Sequence, residues 1–206
     1  MGRRGDELRE HMLWAATEVF LEVGFERASM DVIAARAETT KRTLYSHFES
    51  KENLFFAVIE LVRGLVLNRL KYPQDYSQDP IEAVTLFCAR YIEILRYEPA
   101  VQMCRVSISE AARFPQGAAQ HFDALFTEAH SRLSNFLQKT LGLTDSIGDE
   151  TAWKLLGQLL YPGLLRSLFG VNELAKSYNP DEKVFDVDLP PIRKAVEDMF
   201  ESLPKR

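Results

Sequence analysis

Apolar residues recur at helical spacing along almost the whole chain, and this pattern limits the fold more than any other feature. Near the amino end, Leu8, Met12, Ala15, Val19 and Val23 fall on one face of a helix. Leu and Ala number 26 and 19, against 13 Val and 8 Ile, so good helix formers outnumber β-branched residues. Gly and Pro, which interrupt helices, number only 10 and 9. We therefore expect an all-α protein.

Four helices are predicted in the first 70 residues, because residues suited to helix ends recur there. Gly24 suits the left-handed position at the end of the first helix. Ser29, Thr40 and Ser50 are suitable N-caps for the second, third and fourth helices. The stretch 72–80 contains two prolines and many polar residues, so it is predicted to be a loop where a second helical region begins.

Five further helices are expected beyond this loop. The first of them is apolar on almost every side and is predicted to be central. The fourth contains Pro162, which is expected to kink it, and follows a linker at 143–148. The five helices are predicted at 81–95, between 99 and 115, at 122–136, at 152–169 and at 192–203.

Charge and cysteine content exclude several classes of protein. The formal net charge of −5 argues against a coat of polyanion contacts, so any binding to nucleic acid must be local. Cys88 and Cys104 lack the spacing of a zinc site or a disulfide framework, and we expect buried, reduced thiols and no metal or cofactor. There is no apolar signal segment and no stretch long enough to cross a membrane. We expect a cytoplasmic protein without a membrane partner.

The segment Ser29–Phe48, SMDVIAARAETTKRTLYSHF, predicts two short helices joined by a tight turn. Ile33 and Leu44 are apolar where two crossed helices share a core. Ala34 and Ala37 are small where the two backbones approach. This arrangement is typical of a helix-turn-helix, whose second helix enters the major groove of DNA.

The second helix of this segment carries side chains that can reach phosphates and base edges. Four basic residues lie between Arg36 and Lys51, against two acidic ones, and Arg3 and Arg4 add a basic arm. The positive charge is therefore local, as DNA binding requires. Tyr45 and His47 could instead be partly buried packing residues. The outward groups are Lys41, Arg42, Thr43, Tyr45 and His47.

These residues resemble the DNA-binding domain of TetR-family regulators over about residues 8 to 56. The resemblance rests on Phe20, Gly24, the run Ile33-Ala34-Ala35-Arg36-Ala37, and the pattern Thr43-Leu44-Tyr45, His47-Phe48 and Ser50-Lys51-Glu52-Asn53-Leu54. It implies a DNA-binding domain at 1–52, an effector-binding and dimerisation domain at 53–206, and a homodimer. A second stretch, RVSISEAARFP at 105–115, looks like the C-terminal domain of AefR-like members.

The resemblance also implies which residues touch DNA. Lys51 falls at the start of the fourth helix, where members of the family touch phosphate, and Ser29 falls at the helix start that faces the DNA backbone. Glu38 departs from the pattern, because the family usually places glycine at this left-handed turn position. A non-glycine residue there costs about 1–2 kcal/mol if φ stays positive. The predicted DNA-binding set is Ser29, Thr40, Lys41, Arg42, Thr43, Tyr45, His47 and Lys51.

Aromatic residues in the second domain leave two alternatives open. They are either solid core or the wall of a cavity for a small hydrophobic effector. Likewise, the helix containing Pro162 and the last helix bury their faces either internally or against a second copy, and the resemblance favours a dimer. The candidate ligand-binding residues are Phe87, Tyr91, Ile108, Phe122, Phe126 and Tyr161.

The favoured function is a sequence-specific transcriptional repressor that a small-molecule effector releases from a palindromic operator. The alternative is a helix-turn-helix regulator without a ligand, acting as an activator or a protein-interaction module. An enzyme is not expected, because the sequence contains no GxSxG, HExxH, P-loop or GxGxxG motif.

Overall fold

The computed structural model of the protein describes residues 2–177 and 185–203, with side chains from residue 5 onward. The regular secondary structure in this part of the chain is helical, which confirms the predicted fold class. The helices are α1 Gly2–Arg27, α2 Met30–Arg36, α3 Lys41–Phe48, α4 Lys51–Arg69, α5 Pro80–Ile94, α6 Glu98–Ser109, α7 Pro115–Phe122, α8 Glu128–Leu141, α9 Asp145–Leu160, α10 Gly163–Leu168 and α11 Leu189–Ser202.

The chain forms two compact units. One contains the residues up to Leu65 together with Gln102–His121, and the other contains Val66–Val101 together with the residues from Phe122 onward. The expected boundary at residue 52 falls inside α4. The first compact unit thus contains α7 and most of α6 together with the amino-terminal helices. The boundary at residue 52 separates a DNA-binding domain from an effector-binding domain, and it stays a prediction.

The first unit is built around a cluster of aromatic rings. The Phe20, Phe25 and Phe55 side chains are fully buried, and the Phe20 and Phe55 rings meet edge to face with centroids 5.2 Å apart. Ile33 and Leu44 join the same core, as the helix-turn-helix pattern predicts. This shared core fixes α2 and α3 against α1 and α4.

Three of the predicted helix starts are confirmed by their hydrogen bonds. The hydroxyl oxygens of Ser29, Thr40 and Ser50 accept from the backbone N–H groups three residues further on, at 3.2, 3.1 and 3.0 Å. Gly24 adopts the predicted positive φ, 76°, but the first helix does not end there. Its ψ of 172° makes a kink instead, after which α1 continues to Arg27.

The second unit is organised around α5, which is buried on most of its surface, as its sequence predicts. It packs against α8, α9 and α11. Arg90 and Glu93 form an ion pair at 2.7 Å inside this unit, and both side chains are buried. A buried charge needs such a partner, because its desolvation is otherwise unfavourable.

The prediction of one continuous helix at 122–136 is wrong, because Phe122 is the last residue of α7 and α8 begins at Glu128. The chain forms a π-helical turn at Asp123–Thr127 between α7 and α8. The apolar spacing of this segment fits either kind of helical turn, so periodicity does not distinguish them.

The helix predicted at 152–169 is also corrected. It consists of α9, which ends at Leu160, and the separate short helix α10. Tyr161 has an extended backbone, and Pro162 has no N–H to continue the helical hydrogen bonds. The predicted linker at 143–148 is shorter, because Thr144 caps α9 and the helix begins at Asp145.

Candidate nucleic-acid interface

The turn between α2 and α3 spans residues 37–40 and is closed by backbone hydrogen bonds. The Ala37 N–H donates to the Ile33 carbonyl at 2.9 Å, and the Thr39 N–H donates to the Ala34 carbonyl at the same distance. Glu38 adopts a φ of 48°, so the left-handed turn position is kept although the residue is not glycine. The structure therefore keeps the conformation that glycine favours and places an acidic side chain there.

The helix α3 divides cleanly into a buried face and an exposed face. Leu44 and Phe48 are buried in the core of the first unit. Tyr45 is 42% exposed and His47 is also exposed, so both side chains reach solvent on the same helix as Lys41 and Arg42. The exposed side chains of α3 are Lys41, Arg42, Tyr45, Ser46 and His47, and Thr43 is half-buried.

The cations near this surface differ in how strongly they are paired. The Lys41 Nζ lies 2.8 Å from the Asp31 carboxylate, and this hydrogen-bonded pair raises the pKa of Lys41. Arg36 donates to both carboxylate oxygens of Glu22, at 2.6 and 2.9 Å. None of the ion pairs found among the described residues includes Arg42. Its guanidinium is therefore the cation on α3 that can meet a phosphate or a base without first leaving a partner.

Lys51 occupies a different environment from the other predicted DNA contacts. Its Nζ donates to the carbonyl oxygens of Phe25, Glu26 and Ala28, at 2.9, 3.3 and 3.0 Å. An ammonium group has three N–H donors, so these bonds use all of them. A phosphate contact by Lys51 would require it to give up one of these internal bonds.

The hydroxyl groups at the starts of α2 and α3 serve as caps. Ser29 Oγ accepts from the Val32 N–H, and Thr40 Oγ1 accepts from the Thr43 N–H. The Thr40 and Thr43 hydroxyls also lie 2.8 Å apart. One of these two threonine hydroxyls donates its hydrogen to the other, so the other threonine and Ser29 keep the hydroxyl hydrogens that can be donated to a phosphate oxygen. The side chains of Arg3 and Arg4, the predicted basic arm, lie outside the described residues.

The six candidate ligand-binding residues differ in burial, and Ile108 belongs to the first compact unit whereas the other five belong to the second. Phe87 and Tyr91 are buried, and the Tyr91 hydroxyl donates to the Leu125 carbonyl at 2.8 Å. Ile108, Phe122 and Tyr161 are exposed, at 63%, 52% and 69%. Phe126 is half-buried and its ring lies 5.0 Å from that of Phe122.

Two open grooves in the second unit are lined by other residues. One, of about 440 Å³, is bounded by the carboxyl ends of α5 and α9, by α10 and by residues 172–173. The other, of about 370 Å³, lies between α9 and α11. Its lining residues are Ile147, Glu150, Thr151, Lys154, Leu155, Gln158, Ala195, Asp198, Met199, Ser202 and Leu203.

Arg113 and Phe114 have no role that the sequence alone predicts. The Phe114 ring packs edge to face on Phe25 with centroids 4.8 Å apart, and Arg113 pairs with Glu26. In the sequence, the Arg-Phe-Pro run indicates only a family resemblance. The ion pair between Arg113 and Glu26 joins residues 87 positions apart, and no local sequence pattern predicts it.

Other kinds of site find no support in the described part of the chain. It contains no group of three or more His, Cys, Asp or Glu side chains placed to hold a metal ion. None of its helices has the length and apolar character needed to span a bilayer. Cys88 and Cys104 are both buried free thiols, and burial raises the pKa of each to about 12.

Two family models match the chain. Residues 13–58 match the model of bacterial regulatory proteins of the tetR family. Residues 82–142 match the model of the C-terminal domain of AefR-like transcriptional repressors. The first match covers the helix-turn-helix and the helices that flank it.

Curated relatives match over part of their length. The HTH-type transcriptional activator FasR of Mycolicibacterium smegmatis is 49% identical over 87 residues, which are 40% of this chain and 39% of FasR. The HTH-type transcriptional repressor DhaR of Mycobacterium sp. strain GP1 is 34% identical, over 43% of this chain and 45% of DhaR. The HTH-type transcriptional regulator UidR of Escherichia coli K12 is 31% identical, over 65% and 64%. The chain thus spans less than two thirds of each of these relatives.

Solved structures match over nearly the whole chain. A TetR-family transcriptional regulator from Mesorhizobium loti has a TM-score of 0.75 at 21% identity, covering 97% of this chain and 96% of that one. The flavonoid-responsive regulator FrrA has a TM-score of 0.71 at 25% identity, covering 95% and 94%. The first likeness shows the fold alone.

Proposed function

The chain belongs to the tetR family of bacterial regulatory proteins, and on that premise we propose that it represses transcription as a homodimer bound to a near-palindromic operator. The observation that carries this proposal is the geometry of α3. Its buried residues Leu44 and Phe48 anchor it in the core, and its opposite face exposes cationic and hydrogen-bonding side chains. In a helix-turn-helix, such a face enters the major groove.

Different residues of this surface have different roles in the proposal. Arg42 is placed to read a base edge, since an arginine can donate two bonds to guanine O6 and N7. Lys41 supplies charge to a phosphate after exchanging its Asp31 partner. The Ser29 hydroxyl and one of the Thr40 and Thr43 hydroxyls donate to phosphate, because the hydrogen of the other is used in the bond between the two threonines. Tyr45 and His47 reach base edges or the DNA backbone. Lys51 acts within the protein, through the carbonyl groups it binds.

The groove between α9 and α11 is the proposed dimer interface. It exposes Ile147 beside the charged residues Glu150 and Lys154. A twofold pair would place two such grooves face to face and form a four-helix interface. The pair would present two copies of α3 to successive major grooves, about 10 base pairs apart.

A small hydrophobic effector in the second domain is the proposed means of release. The similar solved structure of FrrA, which is named a flavonoid-responsive regulator, supports a response to a small molecule. The effector acts only through its different affinity for the DNA-bound and DNA-free states. Contact with Phe87 or Tyr91 would require side chains around α5 to move, because both residues are buried.

A regulator that activates transcription is the second candidate. It is favoured by the similarity to FasR, which is named a transcriptional activator. The two candidates differ in where the operator lies relative to a promoter. Transcription in vitro from a natural promoter that contains the operator sequence distinguishes them, since a repressor lowers the transcript yield and an activator raises it.

Selection of bound fragments from random DNA tests the proposal. We expect an inverted repeat whose half-sites are centred about 10 base pairs, or a multiple of that, apart. Selected fragments that share no sequence, or that contain a single half-site, would contradict a sequence-specific dimer.

A further inference from the structure

We infer that Arg113, in the turn between α6 and α7, is a positioning residue for operator binding. It acts through Glu26 and Glu52 at the point where both ends of the helix-turn-helix are held. The inference rests on the proposed DNA-binding function and concerns contacts within the first compact unit.

Lys51 connects the two segments that flank the helix-turn-helix. Ala28, whose carbonyl accepts from Lys51, lies next to Ser29, the N-cap of α2. Lys51 itself begins α4, three residues after Phe48 ends α3. The Lys51 side chain therefore ties the segment just before α2 to the first residue of α4, three residues after the end of α3.

The Phe25 ring packs against the Lys51 side chain at this junction. It is fully buried, and the Lys51 Nζ lies 4.4 Å from its centroid. The Arg113 Cζ lies 4.9 Å from the same centroid. Two cations within this distance of one ring hold it through the negative charge of its faces.

Arg113 also joins the two elements that meet at Lys51. Its Nη1 donates to the Glu26 carboxylate in the last turn of α1, and its Nη2 lies 3.9 Å from the Glu52 carboxylate in the first turn of α4. The guanidinium thus bridges the end of α1 and the start of α4. Its planar shape allows the two contacts and the ring stacking at once, which a lysine cannot reproduce.

The turn that carries Arg113 is itself firmly placed in this unit. The Phe114 ring contacts those of Phe25, Phe55 and Phe56, with centroids 4.8, 5.8 and 5.6 Å apart. At Gly117, an added Cβ would lie 2.8 Å from Phe56 Cε1, so α7 lies directly against α4. A displacement of the α6–α7 turn therefore reaches the junction at Lys51 through Arg113.

The ion pairs themselves contribute little to stability, because the Arg113 side chain is 44% exposed. The expected effect is therefore on the placement of α3. Substitution R113Q should weaken operator binding about tenfold while the melting temperature stays close to that of the control. The control is R63Q, which removes the Arg63–Glu60 pair from α4, where both side chains are 47% exposed.

The salt dependence of binding separates positioning from direct contact. Removing a phosphate ligand lowers the slope of log affinity against log salt by about 0.9, whereas removing a positioning residue leaves the slope unchanged. We expect R113Q to keep the wild-type slope. E26Q should weaken binding in the same direction, and E26Q/R113Q should lose less than the sum of the two single losses.

Three results would overturn the inference: R113Q affinity equal to that of R63Q, a slope reduced by about one, or fully additive losses in the double variant. If the wild-type protein itself selects no operator, the proposed function fails. If the wild type binds its operator and R113Q binds equally well, only this inference fails.

Discussion

Glu38 and Glu49 bracket α3, and each has a positive φ, at 48° and 64°. The residue type at Glu38 conflicts with its conformation, and the sequence predicts this conflict because the family pattern has glycine at this turn position. Nothing in the sequence signals the strain at Glu49, because its conformation follows from the way α3 stops and Ser50 caps α4. Local sequence patterns therefore predict a strained residue only where a known turn type demands it.

Replacing Glu38 with glycine should increase the free energy of unfolding. Relief of the left-handed strain, about 1–2 kcal/mol, exceeds the entropy that glycine loses on folding, about 0.5–1 kcal/mol. The net gain is about 0.5–1 kcal/mol in urea denaturation. E38A is the control, since it removes the charge without relieving the backbone, and it should not gain stability. Equal stability of E38G and E38A would show that the turn is unstrained.

His121 should make stability depend on pH. It is buried, its Nδ1 has no hydrogen-bond partner, and burial lowers its pKa from 6.5 to about 4. Between these values the unfolded chain binds a proton that the folded chain does not, so stability falls as the pH falls. The loss between pH 7 and pH 5 is about 2 kcal/mol.

Denaturation of His121→Gln at pH 7 and pH 5 measures this contribution. The variant should lose less stability than the wild type over the same interval. His11→Gln is the matched control, because His11 is exposed, and it should keep the wild-type difference. A His121→Gln protein with the full wild-type pH dependence would rule out the buried neutral imidazole.

At the scale of helices, the sequence predicts what local chemistry determines. The starts of α2, α3 and α4 follow from Ser29, Thr40 and Ser50, whose hydroxyls cap the first turn. The π-helical turn after α7 and the separation of α9 from α10 depend on packing that one stretch of sequence does not contain. The Lys51 contacts were missed for the same reason, because they join residues 23 to 26 positions apart.

The groove between α9 and α11 gives a prediction at this scale. Ile147 lines it and is 37% exposed, so an aspartate there would place a charge in the proposed dimer interface. We expect I147D to sediment as a monomer and to bind the full operator much more weakly than the wild type. I108D is the control, because Ile108 is more exposed and lies outside this groove. A dimeric I147D protein would place the interface elsewhere.

For the whole molecule, a negative net charge opposes binding to DNA, which is also negative. The proposed binding is possible because cations cluster locally near α3. A chain of net charge −5 gains affinity only from the few phosphates near α3 and the start of α2. Operator affinity should therefore fall steeply between about 50 and 200 mM salt. Titrations at four salt concentrations measure the slope, and a flat response would contradict phosphate anchoring.

The most direct test of the central claim is the operator affinity of the double variant Lys41→Ala, Arg42→Ala, measured by gel shift at fixed salt. Loss of these two contacts should weaken binding by about 1–3 kcal/mol each, and the dimer should remain intact. The control is R63A/K139A, which removes two exposed cations outside α3 and should bind normally. If the α3 variant instead binds the operator as tightly as the wild type, α3 is not the helix that reads DNA.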